Sequence, residues 1–257
     1  MKRIVALLLL LCLCALSGCG GETRAAILCM KEAEPAARAM CAEARALPFA
    51  AADSDMAALQ QVESGACEFA LVTREGLSAL EAGKDFSPQR VGEVTLSAFY
   101  ILSREGAYEK WTKNTRVIIV GERDGYGDIL AQQVLSCALY GTVRYMDLGD
   151  AMEALSGKRA DVVMGMRAPK EARAARALKR IKGLELLDMP ESLLSVRLPD
   201  ASMAEYTLSV GDRAASTYAL MGALVRRADL EDGAVDTAAD AARKAGLMAD
   251  HAAVVLN

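Results

Sequence analysis

Short apolar runs alternate with amphipathic segments along most of the chain, and this alternation restricts the fold more than any other feature. The runs "EFALVT", "RVIIV" and "ADVVMG" have the length of strands and are apolar enough to be buried on both faces. Segments with helical spacing lie between them, such as Ser54–Glu63, which Ser54 or Asp53 can cap. Parallel strands joined by helices give this pattern, so the sequence predicts an α/β fold.

Two longer apolar runs, "VGEVTLSAFYILS" and "STYALMGALVRR", lie on either side of the second alternating unit. They predict two lobes, each a mixed sheet flanked by helices, with the chain crossing between them. The expected boundaries are 19–103 for the first part of lobe 1, 104–200 for lobe 2 and 201–257 for the return to lobe 1. A cleft between such lobes is a natural site for a small ligand.

The N-terminus has the composition of an export signal, with a basic start followed by an apolar run too short to span a membrane comfortably. The run ends in Leu16-Ser17-Gly18-Cys19, which resembles the lipobox of bacterial lipoproteins. This resemblance implies that residues 1–18 are removed and that Cys19 carries lipid. The mature protein would then be extracytoplasmic and anchored to the cell membrane. An ordinary signal peptide with a chance cysteine remains the alternative.

Charge and composition argue against a protein that binds nucleic acid. The chain of 257 residues has 30 Lys and Arg against 34 Asp and Glu, and loss of Lys2 and Arg3 with the signal leaves a net charge of −6. Basic residues are dispersed and aromatic residues make up only 5% of the chain, so no nucleic-acid partner is expected.

Metal, cofactor and catalytic signals are missing from the sequence. It has one histidine, His251, and no CxxC pair among Cys29, Cys41, Cys67 and Cys137, so no metal site or cofactor is expected. These cysteines fit either free thiols or disulfides, and the sequence favours free thiols. There is no GxSxG motif and His251 has no evident partner, so the sequence favours a protein that is not an enzyme.

The stretch "GERDGYGDILAQQVL" leads from a predicted strand through a glycine-rich turn into a helix. Helix N-termini bind carboxylates and phosphates, and glycine allows a ligand to approach closely. Acids at Glu122, Asp124 and Asp128 oppose such a ligand. With Asp128 as the expected N-cap, its carboxylate would occupy the helix N–H groups itself.

Three alternatives follow from this acidic turn. The solute is neutral or cationic, with an ammonium group that meets Asp128. Otherwise its anionic group is held by Arg74 or Arg167, because arginine grips a carboxylate with two hydrogen bonds. In the third alternative the turn is capped and binds nothing. Tyr126 either offers its ring or hydroxyl to the solute or packs on its own lobe.

Several stretches, in order, resemble the TAXI-type solute-binding subunits of TRAP transporters: "DMAALQQVESGACEFALVT", "RVIIVGERDGYGDILAQQVL", "DLGDAMEALSGKRADVVMGMRAP" and "STYALMGALVRRADLEDGAVDTAADAARKAG". The resemblance implies a two-lobe type II periplasmic-binding-protein fold, a small polar solute such as an amino acid or carboxylate, and a TRAP-type membrane partner. The candidate ligand-binding residues are Thr73, Arg74, Gly125, Tyr126, Gly127, Asp128, Gly165 and Arg167.

The chain departs from this family pattern at two places. The loop after the first strand reads "CMKEAEPAARAM" and lacks the usual glycines and threonines. In the later turn, Tyr126 and Asp128 stand where the family has hydroxyl residues. These departures support a second hypothesis, a degenerate lipoprotein of the same fold that acts as a sensor or accessory subunit without a transport ligand.

Overall fold

The computed structural model describes residues 26–81, 89–107, 110–137, 141–170, 183–194, 202–210 and 213–248. The signal segment, Cys19, His251 and nearly all of the helix predicted over residues 170–181 lie outside these ranges.

The strands and helices follow the predicted alternation closely. The strands are β1 Ile27–Cys29, β2 Phe49–Ala51, β3 Phe69–Thr73, β4 Gln89–Arg104, β5 Arg116–Val120, β6 Thr142–Met146, β7 Val162–Arg167, β8 Leu184–Leu187, β9 Met203–Val210 and β10 Arg213–Arg226. The helices are α1 Glu34–Glu43, α2 Asp55–Glu63, α3 Arg74–Glu81, α4 Tyr126–Ser136, α5 Leu148–Ser156, α6 Glu191–Leu194 and α7 Asp232–Lys244, with a 3-10 turn at Lys31–Ala33. Among the described residues, no helix combines the length and apolarity needed to cross a membrane.

Two parallel three-stranded units have the same internal order. In the first unit, β1 lies between β2 and β3, and in the second, β5 lies between β6 and β7. Next to each third strand runs a long antiparallel strand, β10 beside β3 and β4 beside β7. Because β4 and β10 also pair with each other, both units belong to one ten-stranded sheet.

Helices pack on both faces of the sheet, and the buried side chains between helices and sheet form the core. In the first unit, α1 and α7 pack on one face through residues such as Met40 and Ala241, while Leu59 of α2 packs on the other. In the second unit, Leu130 of α4 and Leu155 of α5 likewise belong to different buried clusters. The predicted α/β class, with a mixed sheet flanked by helices, is therefore confirmed.

Helix starts show where the sequence interpretation was right and where it was not. Ser54 caps α2, with its hydroxyl accepting a hydrogen bond from the Ala57 N–H at 3.1 Å. The sequence predicts a short helix over Ala151–Leu155 with Asp150 as its cap. The helix, α5, starts earlier, because Asp147 is the N-cap and accepts from the Asp150 N–H at 2.9 Å. Burial of Leu148, the first residue of α5, accounts for the earlier start.

Replacing Gly222 by alanine tests the packing of the crossing strands. A Cβ there would lie 2.7 Å from Leu96 Cδ1 and closer still to the carbonyl oxygen of Val72. We expect Gly222→Ala to lower the free energy of unfolding by about 1–3 kcal/mol, since a packed core resists added atoms. Urea denaturation measures this change.

Gly233→Ala is the matched control, because a Cβ at Gly233 in α7 meets open space. Alanine in an exposed helix is favoured over glycine by about 0.5–1 kcal/mol, so this variant should be at least as stable as the original protein. Equal stability of Gly222→Ala and Gly233→Ala would contradict the tight packing at Gly222.

Candidate functional site

A cleft of about 860 Å³ lies between the two parallel units. The first unit contributes the turn after β1 and helix α1 to its lining. The second unit contributes the loop after β5, the first turn of α4 and the end of β7. Ser97 of β4 also lines it. The cleft thus lies beyond the carboxyl ends of parallel strands from both units, which is where open α/β sheets bind their ligands.

Helix α4 begins at this cleft, two residues earlier than predicted. Gly125 is its N-cap and has no side-chain capping bond, so the prediction that Asp128 is the N-cap is wrong. Asp128 is instead the third residue of the helix. From there its carboxylate reaches back to accept the Asp124 N–H at 2.9 Å, and Asp124 itself has a left-handed φ of 64°.

The other carboxylate oxygen of Asp128 is also engaged within the protein. Asp128 Oδ1 accepts from the Tyr145 hydroxyl at 2.9 Å and from Gln132 Nε2 at 3.2 Å. The residue is only 7% exposed although it belongs to the cleft lining. The Arg123 guanidinium lies 5.0 Å from the centre of the Tyr145 ring, over its face. The carboxylate of Asp128 therefore holds the turn in place through these hydrogen bonds.

Glu122, another acid of the turn, is engaged across the cleft. Its carboxylate pairs with the ammonium of Lys31, which lies in the turn after β1. The hydrogen bond to Glu122 raises the pKa of Lys31. Both side chains are exposed, so solvent screens this pair strongly. The pair joins the turn after β1 to the loop after β5.

Gly127 and Gly165 are positioned by close backbone packing. A Cβ on Gly127 would lie 3.2 Å from the Met166 nitrogen, and one on Gly165 would lie 2.7 Å from the Val120 carbonyl oxygen. Gly127 lines the cleft, whereas Gly165 is absent from its described lining. Gly127 thus allows α4 to approach β7, and Gly165 allows β7 to lie close to Val120 of β5. Tyr126 and Arg167, next in the chain to Gly127 and near Gly165, line the cleft.

Thr73 and Arg74 lie away from the described lining of the cleft. Thr73 is buried and donates from its backbone N–H to Asp55 Oδ2 at 3.1 Å, while its hydroxyl accepts the Gly76 N–H at 3.0 Å in the first turn of α3. Arg74 pairs with Glu93 at 3.5 Å. Of the predicted binding residues, the structure thus brings together Gly125, Tyr126, Gly127, Asp128 and Arg167.

Sequence reasoning missed Ser97. It lies inside a long apolar run, where a single serine carries no signal, and it is 1% exposed at the point where β4 passes between the units. Sequence reasoning also missed Lys31 and Arg38, which line the cleft, because the family pattern predicts glycine and threonine in this part of the chain.

Some charged groups of the cleft have a partner of opposite charge. Arg38 pairs with Glu34, and Lys244 pairs with Asp240 at 2.7 Å. The Nη1 of Arg167 donates to the carbonyl oxygen of Met166 at 3.2 Å. In the part of the chain that the structure describes, no carboxylate lies within salt-bridge distance of Arg167.

The cysteines give no sign of a metal or redox site. Within the described ranges, no group of His, Cys, Asp and Glu is arranged to hold a metal ion, and no disulfide joins Cys29, Cys41, Cys67 and Cys137. Burial raises the pKa of the Cys29 thiol to about 12, so this thiol stays protonated at neutral pH.

Comparisons with known proteins give similarity of fold only. No model of a known protein family and no curated protein matches the chain. The full-length regulator LysG from Corynebacterium glutamicum is 14% identical with a TM-score of 0.45, and the match covers 96% of this chain and 76% of that one. An ABC transporter structure from Parabacteroides distasonis is 12% identical with a TM-score of 0.44, covering 87% of this chain and 72% of that one. The ligand-binding component of an ABC-type import system from Staphylococcus aureus is 14% identical with a TM-score of 0.40, covering 86% and 72%. Similarity at this level says nothing about the solute.

The role of Asp128 can be tested by substitution. Asp128→Ala removes the acceptor for the Tyr145 hydroxyl and the Asp124 N–H. We expect it to lower the free energy of unfolding by about 1–3 kcal/mol, because partly buried donors lose their partner. Asp150→Ala, at an exposed position in α5, should change stability by no more than about 0.5 kcal/mol. Urea denaturation that found the two variants equally stable would show that Asp128 does not hold the turn.

Proposed function

We propose that the chain is an extracytoplasmic solute-binding protein that takes a small polar solute, such as an amino acid or carboxylate, into the cleft between its two units. The observation that carries this proposal is the cleft itself. Its volume of about 860 Å³ falls in the range of small-molecule sites, roughly 300–1,000 Å³. Its lining combines backbone at the start of α4 with polar side chains from both units.

Closure over the solute would use the two crossing strands as the hinge. β10 pairs with β3 of the first unit, β4 pairs with β7 of the second, and the two long strands pair with each other. Small backbone changes along them can therefore rotate one unit against the other. The Lys31–Glu122 pair spans the mouth of the cleft and favours the closed arrangement. Because both side chains are exposed, solvent screens the pair and it contributes little, which leaves the cleft able to open.

A ligand screen tests the receptor function. A solute that binds only the folded protein stabilises it by about 2.7 kcal/mol when present at 100 times its dissociation constant, which raises the melting temperature. We expect at least one member of a panel of amino acids, dicarboxylates, sugar acids and polyamines to do so with the mature protein. Hinge closure with the same solute should reduce the radius of gyration measured by X-ray scattering. The absence of any thermal shift across the panel would contradict the receptor function.

A degenerate accessory lipoprotein is the second candidate function. The Lys31–Glu122 pair favours it, because the cleft mouth is bridged by the protein's own side chains where the family pattern has a glycine- and threonine-rich loop. The same screen separates the candidates. A protein that closes without a solute would keep its radius of gyration across the whole panel, and Lys31→Ala would increase that radius.

Catalysis is not part of the proposal. On sequence grounds, Asp128 and Asp161 are the two carboxylates that could pair as catalytic groups. In the structure both have other partners: Asp128 accepts from Tyr145, and Asp161 accepts two hydrogen bonds from the Arg116 guanidinium at 2.7 and 2.9 Å. Chemical conversion of a solute found in the screen, followed by mass spectrometry, would contradict a binding-only role.

Lipid anchoring and the transporter partner rest on sequence resemblance. We propose that lipid on Cys19 holds the protein at the membrane, where it delivers solute to TRAP-type membrane subunits. Cells labelled with a fatty-acid analogue should incorporate it into this protein, and Cys19→Ala should abolish both the label and membrane attachment. Cys12→Ala, inside the signal, is the matched control and should retain both.

Recovery of TRAP membrane subunits with the crosslinked lipoprotein would support the partnership, and recovery of none would contradict it.

A further inference from the structure

The chain leaves the second unit at the end of β7 and packs on the first unit. Arg167, the last residue of β7, is in register with Ala98 of β4. Ala168 follows directly, is 4% exposed and belongs to the buried cluster that contains Met40 of α1. Residues 168–170, which we call the strap, therefore extend from the sheet of the second unit onto the core of the first.

Lys170, the last residue of the strap, lies on the C-terminal end of α7. Gly246 ends this helix in a left-handed conformation with a φ of 69°, and its N–H donates to the Arg243 carbonyl oxygen at 2.9 Å. A Cβ at Gly246 would lie 2.8 Å from Lys170 Nζ and closer still to its Cδ and Cε. The lysine side chain thus fills the space that a side chain at position 246 would need.

Electrostatic attraction favours this position of the Lys170 ammonium group. The carbonyl groups in the last turn of a helix carry a partial negative charge, which attracts a cation. Among the described residues, no carboxylate lies within salt-bridge distance of Lys170. The cations in the last turn of α7, Arg243 and Lys244, both pair with Asp240, at 3.3 and 2.7 Å, which reduces their repulsion of Lys170. The end of α7 therefore attracts Lys170 across the boundary between the units.

The strap couples Lys170 to the second unit. Proline has a fixed φ, and a residue before proline is restricted in its conformation, so neither Pro169 nor Ala168 bends freely. When the second unit turns away from the first, the strap follows β7 and Lys170 has to leave Gly246.

Two other contacts join the units around the cleft. Tyr126 of α4 packs against the same buried cluster as Ala168, and Glu122 pairs with Lys31. Tyr126, Lys31 and Lys170 all line the cleft. Contacts within the protein therefore hold the two units together around the cleft.

We propose that Lys170 is a latch that favours the closed cleft before any solute binds. The proposal rests on the proposed function only in that opening of this cleft admits the solute. Because Lys170 is exposed, solvent screens its attraction to the end of α7. The latch therefore shifts the equilibrium between open and closed protein without preventing opening.

Lys170→Ala tests the latch in the mature protein without solute. Loss of one cation at a helix end should raise the ratio of open to closed protein about 2- to 5-fold, which increases the radius of gyration measured by X-ray scattering. Lys244→Ala is the matched control, because it removes a lysine from the same end of α7 whose partner, Asp240, belongs to the same helix. This control should leave the radius unchanged, and equal radii for the two variants would overturn the latch.

A second pair of variants tests the same contact from the first unit. Gly246→Ala places a Cβ where the Lys170 side chain lies and should displace it, which increases the radius of gyration. Gly65→Ala is its control, because Gly65 ends α2 with a similar φ of 74° but its Cβ would meet Arg227 only at 3.7 Å. Gly65→Ala should leave the radius unchanged. In the Lys170→Ala protein, Gly246→Ala should open the cleft no further, and a further increase would contradict the latch.

Failure of the latch and failure of the receptor function give different results. If a solute of the thermal panel binds but Lys170→Ala and Lys244→Ala have equal radii, the latch is wrong and the receptor function stands. If Lys170→Ala opens the protein but no solute of the panel raises the melting temperature, the latch stands and the receptor function is wrong. If both stand, a solute should reduce the radius of Lys170→Ala more than that of the original protein.

Discussion

The pairing of β4 with β10 is the constraint on which the rest of the structure depends. These strands have 16 and 14 residues, far more than the 5 or 6 of β3, β5 and β7, and each runs beside one of the two parallel units. Their register brings Gly222 against the backbone of Val72 and the side chain of Leu96, a contact that only glycine allows. Because the two strands pair with each other, they join the units and set the position of the cleft between them.

The charged groups of the cleft are engaged within the protein to different degrees. Glu122 pairs with Lys31, and the Asp128 carboxylate accepts hydrogen bonds from the Tyr145 hydroxyl and the Asp124 N–H. Among the described residues, Arg167 has no carboxylate within salt-bridge distance. Net charge near a site is therefore a poor guide to its ligand, because groups with internal partners contribute less to recognition.

The structure links the turn after β1 with the loop after β5. Lys31 in the first and Glu122 in the second form an ion pair. A receptor with such a pair would have a cleft that is partly closed before the solute arrives. This arrangement reduces the conformational change required on binding, at the expense of slower access to the floor of the cleft.

The sequence by itself determined the α/β class, the order of strands and helices, and the presence of two units joined by long apolar strands, because these follow from local hydrophobic spacing and turn residues. It also placed Arg167 and the turn at Gly125–Asp128 among the site residues. Only the tertiary structure decided that Asp128 is held by Tyr145, that Thr73 and Arg74 lie away from the described lining of the cleft, and that Ser97 lies at its floor. Those outcomes depend on which side chains meet across strands distant in the chain, and neither local propensity nor residue spacing carries that information.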